Sequence, residues 1–306
     1  MTGQSERPIP DLSGWSVGFI GLGVMGAPMA ANLLAAGARL VVHTRTRDRA
    51  QPVLDTGATW ADDPRAVAAA SETVVTMLPD SPDVEAVVEG ERGILAGAHH
   101  GLTWIDMSTI SPSVTRRLAR VAQERGVAVL DAPVSGGETG ARQATLSIMV
   151  GGDQATFDRS KPLLDVLGSR VVLCGATGTG QVVKACNQLV VGGTVALVAE
   201  ALMLGARTGV DPRRIREALL GGLAQSRVLE MHGQRMLDHA FSPGFRLALH
   251  RKDMRIVNET ADDSGAPNPV GEVIEGLMVD AIDQGLGDDD NAALLQVYER
   301  LAGQRL

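Results

Sequence analysis

The chain has only two cysteines, Cys174 and Cys186, among 306 residues. They are too few for a disulfide framework and lack metal-type spacing to each other, which fits a reducing, cytoplasmic setting. None of the six histidines forms a helix-spaced pair or an H-E-x-x-H, so no metal is expected. A basic excess is missing too. The formal net charge is −8 and no basic cluster offsets it, which argues against nucleic acid and leaves a small metabolite as the expected partner. Long uninterrupted apolar runs are also lacking. The stretch that comes nearest to one begins around Lys184 and is broken by Asn187, Gln188 and glycines, so no membrane span is expected. The opening "MTGQSERPIPDLSGW" lacks the apolar centre of a secretory signal and reads as a loose leader over residues 1–15. There is no repeat at solenoid spacing.

The remaining composition, 44% hydrophobic and 21% charged, is that of an ordinary globular protein long enough for two domains with a cleft. Up to about residue 177, β-rich runs alternate with amphipathic stretches: "WSVGFIG", "ARLVVHT", "ETVVTMLP", "LTWIDMS", "GVAVLDAP", "ATLSIMVGG" and "SRVVLCG" read as strands. Strands alternating with helices predict an α/β domain of Rossmann type over 16–177, with a mainly parallel, doubly wound sheet. From 178 to 306 the periodicity is helical and no convincing strand appears, which predicts an all-helical C-terminal domain. Its first helix, from Gly180 to about Thr208, would run roughly 43 Å at about 1.5 Å per residue and tie the two domains together. "GVDP" then stops and restarts the pattern, with Asp211 as N-cap and Pro212 at the first helical position.

"VGFIGLGVMGAPMAANLLAAG" places Gly21, Gly23 and Gly26 in G-x-G-x-x-G between a strand and an apolar-periodic helix, with Leu22, Val24 and Met25 between the glycines. In that context the pattern binds a dinucleotide. The glycines allow the tight turn and the approach of a pyrophosphate to free N–H groups at the helix start. The acidic residue that would hold the ribose hydroxyls of NAD at the end of the second strand is missing. "VVHTRTRDR" offers Arg45, Thr46 and Arg47 instead, and forked guanidinium bonds to a 2′-phosphate favour NADP(H), with NAD(H) left open. Other turns fall at strand C-terminal ends, where such sheets bind ligands. They carry Leu78 and Pro79, then Ser108 and Thr109, then Ser135, Gly136 and Gly137, whose backbone N–H groups and hydroxyl suit a carboxylate. Each alone also reads as an ordinary capped turn.

Lys184, Asn187 and Gln188 stand at i, i+3 and i+4, so they share a helix face and can address one ligand. A lysine among apolar neighbours is costly unless a cleft, a ligand or a partner receives it, and Glu200 lies four turns or more away. The plain alternative is a lysine near a helix start that snorkels to solvent.

These residues resemble the β-hydroxyacid dehydrogenase family from Gly18 to about Leu301, through "GFIGLGVMGAPMAANL", "DAPVSGGETGARQATLSIMVGG", "GTGQVVKACNQ" and "FRLALHRKD" in that order. The resemblance implies that Lys184 is the catalytic lysine and Asn187 the amide one turn on. It also implies that Ser135, Gly136 and Gly137 take the substrate carboxylate, with Gln188 on the same face. Leu78, Pro79 and Thr109 would touch the cofactor, Lys252 would reach it from the helical domain, and Asp253 would support the cleft. The implied reaction is hydride transfer to the carbonyl of a short aldehyde or keto acid, giving a hydroxy acid. A lysine with an ordinary pKa of about 10.4 would be the proton donor. The family also implies subunit contacts through the helical domain, in a homodimer or homotetramer. The chain departs from the family at Gln188, where many members carry a second asparagine, at Ala144, which replaces a frequent glycine, and at Arg45, near which NAD-preferring members carry an acid. Imine reductases share the fold but typically lack the lysine. A non-catalytic cofactor-binding module would have lost it.

Overall fold

The computed structural model describes residues 9–306. The expected leader lies partly outside the described residues, over 1–8, and at its far end the expectation of a loose segment is corrected. Leu12 is fully buried, its N–H donates to the Ala36 carbonyl at 2.7 Å, and Trp15 packs on the same core. The proline-bearing composition concealed two large apolar side chains that cover the end of the first helix.

The strands are β1 Ser16–Ile20, β2 Arg39–His43, β3 Thr59–Trp60, β4 Thr73–Thr76, β5 Thr103–Asp106, β6 Ala128–Asp131, β7 Val134–Ser135, β8 Leu146–Gly151 and β9 Gly168–Gly175. They form one sheet in the order β3-β2-β1-β4-β5-β6-β8-β7, with β9 beside β8. Pairing is parallel from β3 through to β6, while β8 runs antiparallel to β6 and β7. The α/β doubly wound architecture is therefore as expected, and each strand read from the sequence is present. β3 and β7 are additional, two residues each, too short for alternation to reveal.

Strand chemistry explains the layering. Phe19, Val75, Ile105 and Leu130 point into the core on one face, and their neighbours Ile20, Val74, Trp104 and Val129 into the core on the other. This period-two division of consecutive apolar residues is what a sheet covered by helices on both sides requires.

The described residues divide into two compact units, one ending at Lys184 and the other Ala185–Leu306. The division falls inside the helix Thr179–Arg207, whose 29 residues correspond to about 43 Å. By length and composition this helix could cross a membrane. Val195, Ala199 and Leu202 instead join Met254, Ile274 and Met278 in the core of the second unit, the pattern of a central helix in a globular fold. The second unit continues with helices Pro212–Leu220, Arg227–Leu237, Leu247–Ser264, Pro269–Asp283 and Leu295–Ala302. Asp211 caps the first of these by accepting from Arg213 N at 2.9 Å, with Pro212 at the first helical position. Glu200 is committed locally: burial first, then the Glu200 carboxylate, push the Tyr298 phenol up to about 12.

Ala144 occupies the left-handed region (φ 55°) in the turn before β8, which accounts for glycine being frequent there in the family. A Cβ in that region costs about 1–2 kcal/mol, and glycine forfeits about 0.4–1 kcal/mol through the unfolded chain. Ala144→Gly is therefore expected to raise stability by up to about 1 kcal/mol. The urea midpoint should rise, and a fall would contradict this account of the turn.

Candidate active site

The C-terminal ends of the parallel strands line up on one edge of the first unit. Gly21 N donates to His43 O at 3.0 Å, Met77 N to Ile20 O at 2.9 Å, Met107 N to Thr76 O at 2.8 Å and Ala132 N to Asp106 O at 2.7 Å. At the centre of this edge is the glycine turn. Gly21 has φ 101°, and a Cβ there would run into the Met77 carbonyl, while a Cβ at Gly26 would collide with the Gly21 carbonyl. Gly23 differs, because a Cβ there would meet nothing within 4 Å. The protein's own packing does not require glycine at 23, and the lack of a side chain there leaves the backbone open to close approach by a ligand. The helix Gly26–Ala35 has no side-chain cap and no acid in its first turn; Ala27 N donates to Gly23 O at 3.0 Å, and the positive end of the helix is offset by no side-chain charge, which suits an anion. These residues fit the pyrophosphate of a nicotinamide dinucleotide. Val24 is exposed, whereas the Leu22 side chain is buried in the core, leaving only its backbone to serve a ligand.

Thr44 follows β2 where an acid would favour NAD, and Arg45, Thr46 and Arg47 are exposed beyond it. Among the described residues no carboxylate pairs with Arg45 or Arg47. The turn after β4 is fastened to the turn after β5 by Leu78 N donating to Ser108 Oγ at 2.9 Å. Leu78 is half-buried, Pro79 exposed and Thr109 half-buried.

Beneath these turns lie two buried carboxylates that the sequence reading did not single out, Asp106 and Asp131, paired across β5 and β6. Asp106 accepts from Thr76 Oγ1 at 2.7 Å and Ser108 N at 3.2 Å, and Thr76 Oγ1 accepts from the Trp104 indole at 3.0 Å. Burial pushes the Asp106 carboxyl up to about 6 despite those donors, and the nearby Asp131 charge adds to the effect. Asp131 accepts from Gly178 N at 2.6 Å and Gln181 N at 3.0 Å, at the start of the long helix. Burial raises its pKa and these N–H bonds oppose the rise. Gln181 makes the second fastening: its Nε2 donates to Ser108 O at 2.8 Å and its Oε1 accepts from Ile110 N at 3.2 Å. Lys184 follows one turn later and is 6% exposed. An acid closing an otherwise apolar strand, as in "TWID" and "AVLD", was the available signal.

Ser135 is half-buried at the end of β7, and Gly136 and Gly137 are exposed with φ 138° and 61°. Asn32 Nδ2, on the helix after the glycine turn, donates to Ala141 O at 2.8 Å and ties that helix to the helix Gly137–Arg142.

In the second unit, Asn187 Nδ2 donates to Gln188 Oε1 at 2.8 Å, and Gln188 Nε2 donates to Asp253 Oδ2 at 2.5 Å. Lys252 Nζ is 2.7 Å from Asp253 Oδ1. His250, fully buried, contacts the Gln188 carbonyl through Nε2 at 3.3 Å. Gln188, expected to face the substrate, thus uses both ends of its carboxamide on protein groups.

The glycine turn at the C-terminal edge of a parallel sheet fits a nicotinamide-dinucleotide-binding domain. The family model described as the NAD binding domain of 6-phosphogluconate dehydrogenase matches residues 16–175. The one described as NAD-binding of NADP-dependent 3-hydroxyisobutyrate dehydrogenase matches residues 178–298. The chain is 45% identical over 290 residues, 95% of its length and 99% of the relative's, to 2-hydroxy-3-oxopropionate reductase of Escherichia coli K12. It is 36% identical to 2-(hydroxymethyl)glutarate dehydrogenase of Eubacterium barkeri, covering 94% of this chain and 96% of that one. Mycobacterium tuberculosis 3-hydroxyisobutyrate dehydrogenase with L-serine superposes at TM-score 0.86 and 31% identity, covering 93% of this chain and 99% of that one. The chain belongs to the 3-hydroxyisobutyrate dehydrogenase-like β-hydroxyacid dehydrogenase family, NAD(P)-dependent oxidoreductases acting on CH–OH groups.

Asp106 gives a pH test. A carboxyl at about 6 in the folded state and about 3.9 unfolded binds its proton more tightly when folded, so ionising it destabilises the fold. This contribution lowers stability as pH rises from about 4 to about 6 and is constant above that. Asp106→Asn keeps an acceptor for Thr76 and cannot ionise. Its stability relative to the parent is expected to rise across that window in urea titrations; a pH-independent difference would contradict the assignment.

Proposed function

We propose that this chain reduces a short carboxylate-bearing semialdehyde or keto acid to a hydroxy acid, foremost tartronate semialdehyde to glycerate, using NADPH in preference to NADH. The observation that carries the reaction class is Lys184, buried one turn beyond the Asp131-anchored helix start. The choice of substrate rests on the 45% identity to 2-hydroxy-3-oxopropionate reductase.

When bound, the nicotinamide supplies hydride to the carbonyl carbon. Lys184 holds the proton that the carbonyl oxygen takes up and stabilises the negative charge developing there. Asn187 orients that oxygen. Gln188 and Asp253 hold the Asn187 carboxamide, so Gln188 acts through Asn187 and not on the substrate. The loop Ser135 to Gly137 takes the carboxylate through backbone N–H groups and a hydroxyl. Gly21 to Gly26, Leu78, Pro79 and Thr109 seat the dinucleotide, Arg45 and Thr46 meet its 2′-phosphate, and Lys252 contributes from the helical unit. The working form is a homodimer or homotetramer. Supporting self-association, Val190, Leu197 and Leu204 recur every seventh residue on the long helix and are exposed.

The test is the fall in nicotinamide absorbance with tartronate semialdehyde, run with NADPH and with NADH beside methylmalonate and succinate semialdehydes. The expected result is highest kcat/KM for the first aldehyde with NADPH. Turnover only with another aldehyde would move the substrate, and equal or better use of NADH would overturn the cofactor preference. Arg45→Ala should raise the KM for NADPH roughly tenfold and that for NADH far less. An unchanged ratio of the two would clear Arg45 of this role.

A further inference from the structure

We propose that Arg47, held over the indole of Trp60, is a second arm of the 2′-phosphate clamp beside Arg45, and that Trp60 is the residue that positions it. The inference rests on the NADPH preference above and names the groups that would create it.

The Arg47 guanidinium carbon is 5.2 Å from the Trp60 ring centroid, inside the range of about 6 Å over which a cation is attracted to an aromatic face. The indole is itself fixed. Trp60 pairs with Val42 across β2 and β3, its Nε1 donates to Asp62 Oδ1 at 2.9 Å, and its ring lies 5.4 Å from that of His43. His43 Nδ1 is 3.0 Å from Ala61 O, and the His43 carbonyl accepts the N–H of Gly21. The support under Arg47 is therefore bonded to the residue that opens the glycine turn.

A guanidinium drawn to an aromatic face by its charge keeps N–H donors for a ligand. A free arginine side chain loses considerable rotamer freedom when it grips a phosphate, whereas one already resting on a ring loses less. Arg47 is exposed, and Asp62, the acid adjoining the aromatic pair, is occupied by the indole N–H. A phosphate at the 2′ position of an adenosine adds the charge that two arginines would meet.

Isothermal titration of the full chain with adenosine 2′,5′-bisphosphate and with 5′-AMP isolates the 2′-phosphate without relying on turnover. The parent protein is expected to bind the bisphosphate at least tenfold more tightly. Trp60→Ala should weaken the bisphosphate about two- to fivefold and leave 5′-AMP unchanged, Trp60→Phe should stay within about twofold of the parent, and Arg47→Ala should lose at least as much as Trp60→Ala. The double variant should bind no more weakly than Arg47→Ala, because the two side chains act as one unit. Equal weakening of both ligands by Trp60→Ala, or losses that add in the double variant, would overturn the proposal. If discrimination disappears only in Arg45→Ala, the clamp falls and the NADPH reading stands. If the parent itself does not discriminate, both fall.

Discussion

Asp131 is the constraint on which the rest of the site depends. Its carboxylate sits at the end of β6, fully buried, and is held by the N–H groups of Gly178 and Gln181 at the start of the long helix. An anion there complements the partial positive charge of a helix N-terminus, which offsets part of the cost of burying it. The close approach is possible because of glycine. A Cβ at Gly180 would collide with the Met149 carbonyl, and one at Gly151 would press on the Asp131 carboxylate. The glycines of "GTGQ" thus belong to this carboxylate.

Once that end is fixed, Gln181 joins the helix start to the turn after β5, and Lys184 follows one turn later in the same unit. The proton-donor role proposed for Lys184 requires a position held to a fraction of an ångström, which a helix fastened at its first turn provides better than a loop. On the sheet edge the turns after β1, β4 and β5 are likewise bonded to their neighbours and not free to drift.

The parts of this architecture that sequence made legible are local ones. The G-x-G-x-x-G turn, the apolar strands, the Asp211 cap and the long apolar helix depend on residues a few positions apart. What escaped the reading depends on partners far apart in the chain: Asp131 and Gly178, Gln181 and Ser108, Gln188 and Asp253, Arg47 and Trp60. Composition misled at Leu12, where a polar, proline-bearing segment carries a core side chain. Strands of two residues, β3 and β7, show no period to detect.

The most direct test of the account is single-turnover reduction by Lys184→Ala with saturating NADPH, beside a titration of NADPH binding. If Lys184 holds the proton and is positioned by the Asp131 anchor, hydride transfer should slow on the order of 100-fold or more while the affinity for NADPH is unchanged. Transfer at the parent rate in a variant that still binds NADPH would remove Lys184 from the chemistry and leave the buried anchor a purely structural feature.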